Sequence, residues 1–152
     1  MNLAWPTLNK GAGALKRAAA GWRDFAVVST ASPWALAMSR VPTPQAVIFT
    51  ANLERPTLED LRNKLRGVHM VVGIGSGVSM DTAKYLAKVE QVALAQVLTT
   101  SSNNACFTRT AWTFEGENRV PEREVPIPVQ LVLDYDLLEQ APARMNRAGA
   151  QL

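Results

Sequence analysis

The sequence predicts an α/β fold: a parallel β-sheet with flanking helices, plus a β-hairpin. Three observations predict it. Short runs that are apolar at consecutive positions recur along the chain, as strands covered on both faces require. One of them, residues 70–72, leads into glycines at alternate positions, Gly73, Gly75 and Gly77, and then into an amphipathic run. Late in the chain, residues 110–114 alternate and reach Glu115-Gly116-Glu117-Asn118, which has hairpin-turn chemistry.

Taken in order, residues 5–15 read as an extended segment leading into a helix whose buried stripe is Leu15, Ala18 and Ala19. Residues 25–30 read as the first parallel strand and residues 46–50 as the second. The first ends in Ser29-Thr30-Ala31-Ser32, without an acidic residue. Glu54-Arg55-Pro56-Thr57 introduces a helix; Thr57 and Asp60 have capping-box spacing, and Leu58, Leu61 and Leu65 should face the sheet. After the glycines, Met80, Ala83 and Ala87 form one helical stripe and Asp81, Lys84 and Lys88 another. Residues 91–98 contain the fourth strand. It ends in a polar string that includes Thr99, Thr100, Ser101, Ser102, Asn103 and Asn104. Residues 115–128, rich in charge and proline, read as a hairpin turn and connection; residues 129–134 are a further strand. Asp134 is expected to be structural, capping the next turn.

Strand, glycine turn and helix are the arrangement in which main-chain N–H groups at a helix N-terminus meet an anion. Glycine suits it because a Cβ would hold the backbone away from phosphate oxygens and forbid positive φ. The spacing is G-x-G-x-G, neither the usual dinucleotide fingerprint nor a triphosphatase loop, so it fits a phosphate cradle and a plain tight turn alike. The hydroxyls and amides after residue 98 can donate to phosphate, ribose or a substrate hydroxyl, and they also suit a polar turn.

The 152 residues, with an ordinary apolar fraction, predict one globular domain over 1–152. A net charge of +3 with scattered basic residues gives no nucleic-acid stripe. No apolar run approaches a membrane span, and no signal-peptide core stands at the start. The single cysteine, Cys106, fits a reducing compartment, so a cytoplasmic location is the expectation. His69 is the only histidine, and a metal site draws three or four groups, so no metal ligand is assigned.

The string Gly75-Ser76-Gly77-x-x-x-Asp81-x-Ala83-Lys84 resembles the Gly-Gly-Gly-x-x-x-Asp-x-Ala-Lys loop of the iron-type alcohol dehydrogenases, a superfamily that includes glycerol dehydrogenase, glycerol-1-phosphate dehydrogenase and, more distantly, dehydroquinate synthase. Gly73 and Tyr85 place the resemblance nearest the glycerol-1-phosphate branch. Gly11-Ala12-Gly13-Ala14-Leu15 is similar to the family's opening element, and Thr99 and Ser102 match its Pro-Thr-x-x-Ser-x-Asp, with Leu98 and Asn104 departing from it. The resemblance implies a Rossmann-like N-terminal domain of the dehydroquinate synthase type. It implies NAD or NADP held by Gly73, Gly75, Ser76, Gly77, Asp81, Lys84, Thr99, Thr100 and Ser102, with Asn104 toward the substrate. Hydroxyls in place of an acid at residues 29–32 would tolerate the extra phosphate of NADP.

In metal-dependent relatives Ala-Gly is followed by a metal-binding aspartate, and two histidines lie on a second, helical domain. Here the sequence runs Ala148-Gly149-Ala150-Gln151-Leu152, and the expectation is a domain truncated before the Fe or Zn ligands. The functional expectation is the NAD(P)-binding half of a metal-dependent alcohol or polyol dehydrogenase, an oxidoreductase not catalytically complete as this chain alone. A non-catalytic nucleotide-binding or interaction module is the alternative, and a sugar-phosphate cyclase ranks last. An apolar face is expected to dock a helical partner domain or a second copy.

Overall fold

The computed structural model of the protein describes residues 6–100 and 108–141. Six parallel strands form one sheet in the order β1-β8-β5-β4-β2-β3, where β1 is Thr7–Gly11, β2 Phe25–Ser29, β3 Ala46–Phe49, β4 Met70–Gly75, β5 Ala93–Leu98 and β8 Gln130–Asp134. A separate antiparallel ribbon pairs β6, Thr110–Glu115, with β7, Asn118–Arg123. The helices are α1 (Ala14–Ala19), α2 (Ala31–Ala37), α3 (Arg55–Arg62), α4 (Gly77–Glu90) and α5 (Tyr135–Glu139).

The central strands are buried on both faces, which is why their apolar residues run consecutively. Alternate side chains feed two cores. Val27, Val72, Ile74, Ala95 and Val97 meet Leu15 and Ala18 of α1 and Ala37 of α2. Ala26, Val28, Ile48, Val71 and Leu94 meet Leu58 and Leu61 of α3 and Ala83, Leu86 and Ala87 of α4. The predicted stripes Leu15/Ala18/Ala19 and Leu58/Leu61/Leu65 are all buried.

Four expectations about local structure are corrected. The strand at residues 25–29 is the second in the chain, because residues 7–11 of the extended segment pair with β8 as an edge strand. The glycines do not end the third predicted strand at Val72: β4 continues through Gly73 to Gly75, both paired to β5. No Thr57–Asp60 capping box forms; Glu54 is the N-cap of α3, with no side-chain capping bond, and Pro56 sits in the first turn. The charged stretch after Glu115 is not only a connection. It supplies β7, whose Pro121 is tolerated in a two-stranded ribbon. The hairpin itself is where the alternation placed it, turning through Gly116.

Asp134 caps α5 as expected. Its side chain, fully buried, accepts from the amides of Asp136 (2.9 Å) and Leu137 (3.4 Å), and its other oxygen accepts from Leu15 N (2.9 Å) in α1. One carboxylate thus joins the start of α1 to the start of α5.

Candidate functional site

The last residue of β4, Gly75, has φ +142°, a conformation that L side chains rarely adopt. A Cβ there would also lie 3.0 Å from Ser79 Oγ and 3.7 Å from Pro33 in α2. Glycine therefore lets two helix starts converge on the end of the strand. Ser76 follows as the N-cap of the 14-residue α4 and makes no side-chain capping bond. The first-turn amides of an α-helix have no intrahelical acceptor, and they carry the positive end of the helix dipole. Thr99 N donates to Gly75 O (3.2 Å), fastening the end of β5 to the same turn.

These pieces border a cleft of about 330 Å³ at the carboxyl ends of β2, β4 and β5. Among the described residues its polar wall is Thr30, Ser32, Ser76, Thr99 and Thr100, joined by Pro33, Leu36, Gln140 and Ala141, none of them charged. The topology explains the position. From β2 the chain steps outward to β3, then returns to the other side of β2 as β4. Connections diverge there, and in open α/β sheets that divergence leaves the ligand crevice. Ser29 lies below the crevice, spending its hydroxyl on Ile74 O (2.7 Å) and Thr30 O (3.1 Å).

The structure thus brings Gly75, Ser76, Gly77, Thr99 and Thr100 together at one place. Ser102 and Asn104 lie outside the described residues. Gly73 is elsewhere: it sits within β4 beneath α4, where a Cβ would fall 2.1 Å from Gln96 Oε1 and 2.9 Å from Ala83 Cβ. The glycine makes room for the buried Gln96 amide, whose Nε2 donates to Met80 O at 3.1 Å.

Asp81 and Lys84 also lie apart from the cleft lining. Both are buried under the hairpin, with their charged atoms 3.3 Å apart. Lys84 Nζ donates to Thr108 Oγ1 (2.9 Å) and Thr110 O (3.1 Å), and Asp81 Oδ2 accepts from Trp112 N (3.1 Å). Burial pushes the Asp81 carboxyl above its ordinary range, against the pull of the Lys84 ammonium and the Trp112 amide. His69 is exposed at the other end of the sheet beside Asp24. Among the described residues no group of three or more His, Cys, Asp or Glu side chains is placed to share a metal ion. None of their helices is long and apolar enough to cross a membrane.

Sequence reasoning missed Pro33, Leu36 and Gln140 as cleft residues, since nothing in their local pattern marks a wall that tertiary packing assembles. Gln96 was findable: a lone amide in the middle of the apolar run of β5 signals a buried polar role.

Fold and site together define a doubly wound α/β domain with a glycine-bounded helix start at its switch point. The chain belongs to the iron-containing alcohol dehydrogenase family, whose model it matches over residues 15–142. It is 34% identical over 97 residues to an uncharacterized oxidoreductase of Synechocystis sp., a match covering 61% of this chain and 25% of that protein. It is 29% identical over 82 residues to the glycerol-1-phosphate dehydrogenase [NAD(P)+] of Aeropyrum pernix, covering 54% of this chain and 23% of that one. The fold is similar to that of a probable glycerol dehydrogenase from Sinorhizobium meliloti, with TM-score 0.82 at 22% identity over 97% of this chain and 44% of the other. The glycerol dehydrogenase from Schizosaccharomyces pombe gives 0.80 at 19% identity, over 97% and 42%. The chain therefore spans about a quarter of the length of those curated relatives and under half of those solved structures.

Proposed function

We propose that this chain is the coenzyme-binding domain of an NAD(P)-dependent alcohol or polyol dehydrogenase, with the pyrophosphate seated on the first turn of α4. The observation that carries this reading is Gly75 at φ +142°, directly ahead of a helix start that lacks a side-chain cap and borders a polar cleft. The residues fit the group. The amides of Gly77, Val78 and Ser79 supply donors, Ser76 has a free-standing capping position, and Thr30, Ser32, Thr99 and Thr100 supply hydroxyls for ribose and phosphate oxygens. A nicotinamide coenzyme, when bound, supplies hydride transfer; the chain's own task is to hold and orient it.

The cleft wall at the end of β2 is Thr30 and Ser32, with no carboxylate among the described lining residues. A carboxylate there would repel a 2′-phosphate, and hydroxyls do not. The reading therefore includes NADP as well as NAD. Membership of the family and the coenzyme in the name of the A. pernix relative support it.

Titration of NADPH and NADH followed by nicotinamide fluorescence tests it. Both bind, NADPH at least as tightly as NADH. Gly75→Val abolishes both, because a β-branched residue cannot hold this φ and its Cβ crowds Ser79. No binding of either coenzyme to the wild-type chain at millimolar concentration contradicts the reading.

A further inference from the structure

We propose that Gln140 is a specificity-determining residue, whose side-chain amide reads the 6-amino edge of the adenine base of the coenzyme. The inference rests on the coenzyme reading above and assigns the part of the cleft that the diphosphate does not use. Ser76 and Thr99 stand at the turn where α4 begins and β5 ends. Beyond them, Thr30, Ser32, Pro33 and Leu36 come from α2 and its N-cap, and Gln140 and Ala141 from the end of α5. With the diphosphate on α4 and the adenosine ribose at the hydroxyls that follow β2, the base is left Pro33, Leu36, Ala141 and Gln140. Three of these offer carbon atoms to a flat ring, and the fourth offers an amide. The cleft, about 330 Å³, stands at the small end of the ~300–1,000 Å³ that ligand sites span, which suits one nucleoside and not the whole dinucleotide.

Gln140 is oriented before a ligand arrives. Its Nε2 donates to Asp136 O, one turn back, at 3.1 Å. A carbonyl only accepts, so this contact decides which end of the amide is nitrogen. It uses one of the two amide hydrogens; the second N–H and Oε1 stand side by side for a ligand. The helix that carries them is fastened to the start of α1, where Leu15 N donates to Asp134 (2.9 Å) and Gly13 N to Asp136 (3.1 Å). A donor beside an acceptor complements adenine, whose N6 amino group donates next to ring nitrogens that accept, and a glutamine amide makes that pair of bonds. Hypoxanthine carries oxygen in place of the amino group, so Oε1 would meet a second acceptor and stay unpaired. Turning the amide over would repair the match but would break the bond to Asp136 O. Thr30 and Ser32 cannot draw this distinction, because a hydroxyl donates and accepts alike.

Gln140 is exposed, so its replacement leaves the core alone. NADPH and its reduced deamino analogue, in which hypoxanthine replaces adenine, are titrated by nicotinamide fluorescence into the whole chain, wild type and Gln140→Leu. Both ligands are measured on the same chain, so any loss of folded material cancels in their ratio. The wild type prefers NADPH about tenfold, the discrimination of a good bidentate pair. Gln140→Leu, which keeps the bulk and removes the amide, binds the two ligands about equally, with the loss falling on NADPH. Equal binding of both ligands by the wild type, or a preference that survives in Gln140→Leu, overturns the role of Gln140 and leaves the coenzyme reading intact. A wild-type chain that binds neither ligand overturns both.

Discussion

At the scale of single residues, two neighbouring glycines do different work. Gly75 is required by its backbone, at φ +142°. Gly73 is required by its surroundings, since Gln96 Oε1 occupies the space a Cβ would need. That oxygen is buried without a hydrogen-bond donor among the described residues, and its close approach to the Gly73 α-carbon suits a weak C–H···O contact. Gly73→Ala should destabilise the domain by about 1–3 kcal/mol through overpacking. Gln96→Ala, which empties the space, should recover part of that loss in the double variant. Urea unfolding of the four chains measures it; additive losses would show that the two residues do not share the space. A glycine run read from sequence alone assigns both residues to one loop, because spacing carries no sign of which glycine faces a ligand and which faces a helix.

At the scale of elements, a buried carboxylate and a buried phenol add directional hydrogen bonds between helices that the apolar core already packs together. Asp134 serves three amides in α1 and α5. Asp134→Ala removes a cap and strands buried donors, for a loss of about 2–4 kcal/mol by chemical unfolding. Asp134→Asn, which keeps one acceptor oxygen, should lose clearly less; equal losses would mean that the carboxylate charge, not the hydrogen bonds, matters.

Between α3 and α4, the Tyr85 hydroxyl donates to Glu59, and Arg55 lies over the Tyr85 ring. Burial, together with the Glu59 carboxylate, pushes the Tyr85 hydroxyl up to about 12. An ordinary phenol loses its proton near pH ~10. Between those values the folded chain keeps a proton that the unfolded chain has lost, so stability falls as pH rises through that window. Unfolding measured from pH 9 to 12 should show this fall in the wild type and a shallower one in Tyr85→Phe. Parallel curves would contradict the shift. The same hydrogen bond holds Glu59 below its ordinary range, which gives stability present above about pH 4.5 and lost as the pH drops further.

At the scale of the whole molecule, the sheet was largely legible and its edges were not. Strands β2, β4, β5 and β8 lie in the interior of the sheet, and their consecutive apolar residues announce this directly. The edge strand β1, Thr-Leu-Asn-Lys-Gly, is half-exposed and polar, so its pairing with β8 leaves little hydrophobic trace. The glycine turn and the hydroxyls of Thr99 and Thr100 were legible as local chemistry, and the structure sets Ser76, Thr99 and Thr100 on one cleft. Asp81 and Lys84 were not legible as a buried pair. Charges spaced three apart on a helix read as a solvated face unless something packs on them, and what packs on them is a hairpin more than twenty residues later.

The central claim is that a diphosphate sits on the first turn of α4. Amide chemical-shift mapping of the isotope-labelled chain tests it most directly. Saturating NADPH should move the amides of Gly77, Val78 and Ser79 most, with Thr99 and Thr100 next. Shifts confined to residues outside the cleft, such as the groove formed by Arg62, Asn63, Arg66 and Glu90 at the opposite ends of α3 and α4, would contradict it.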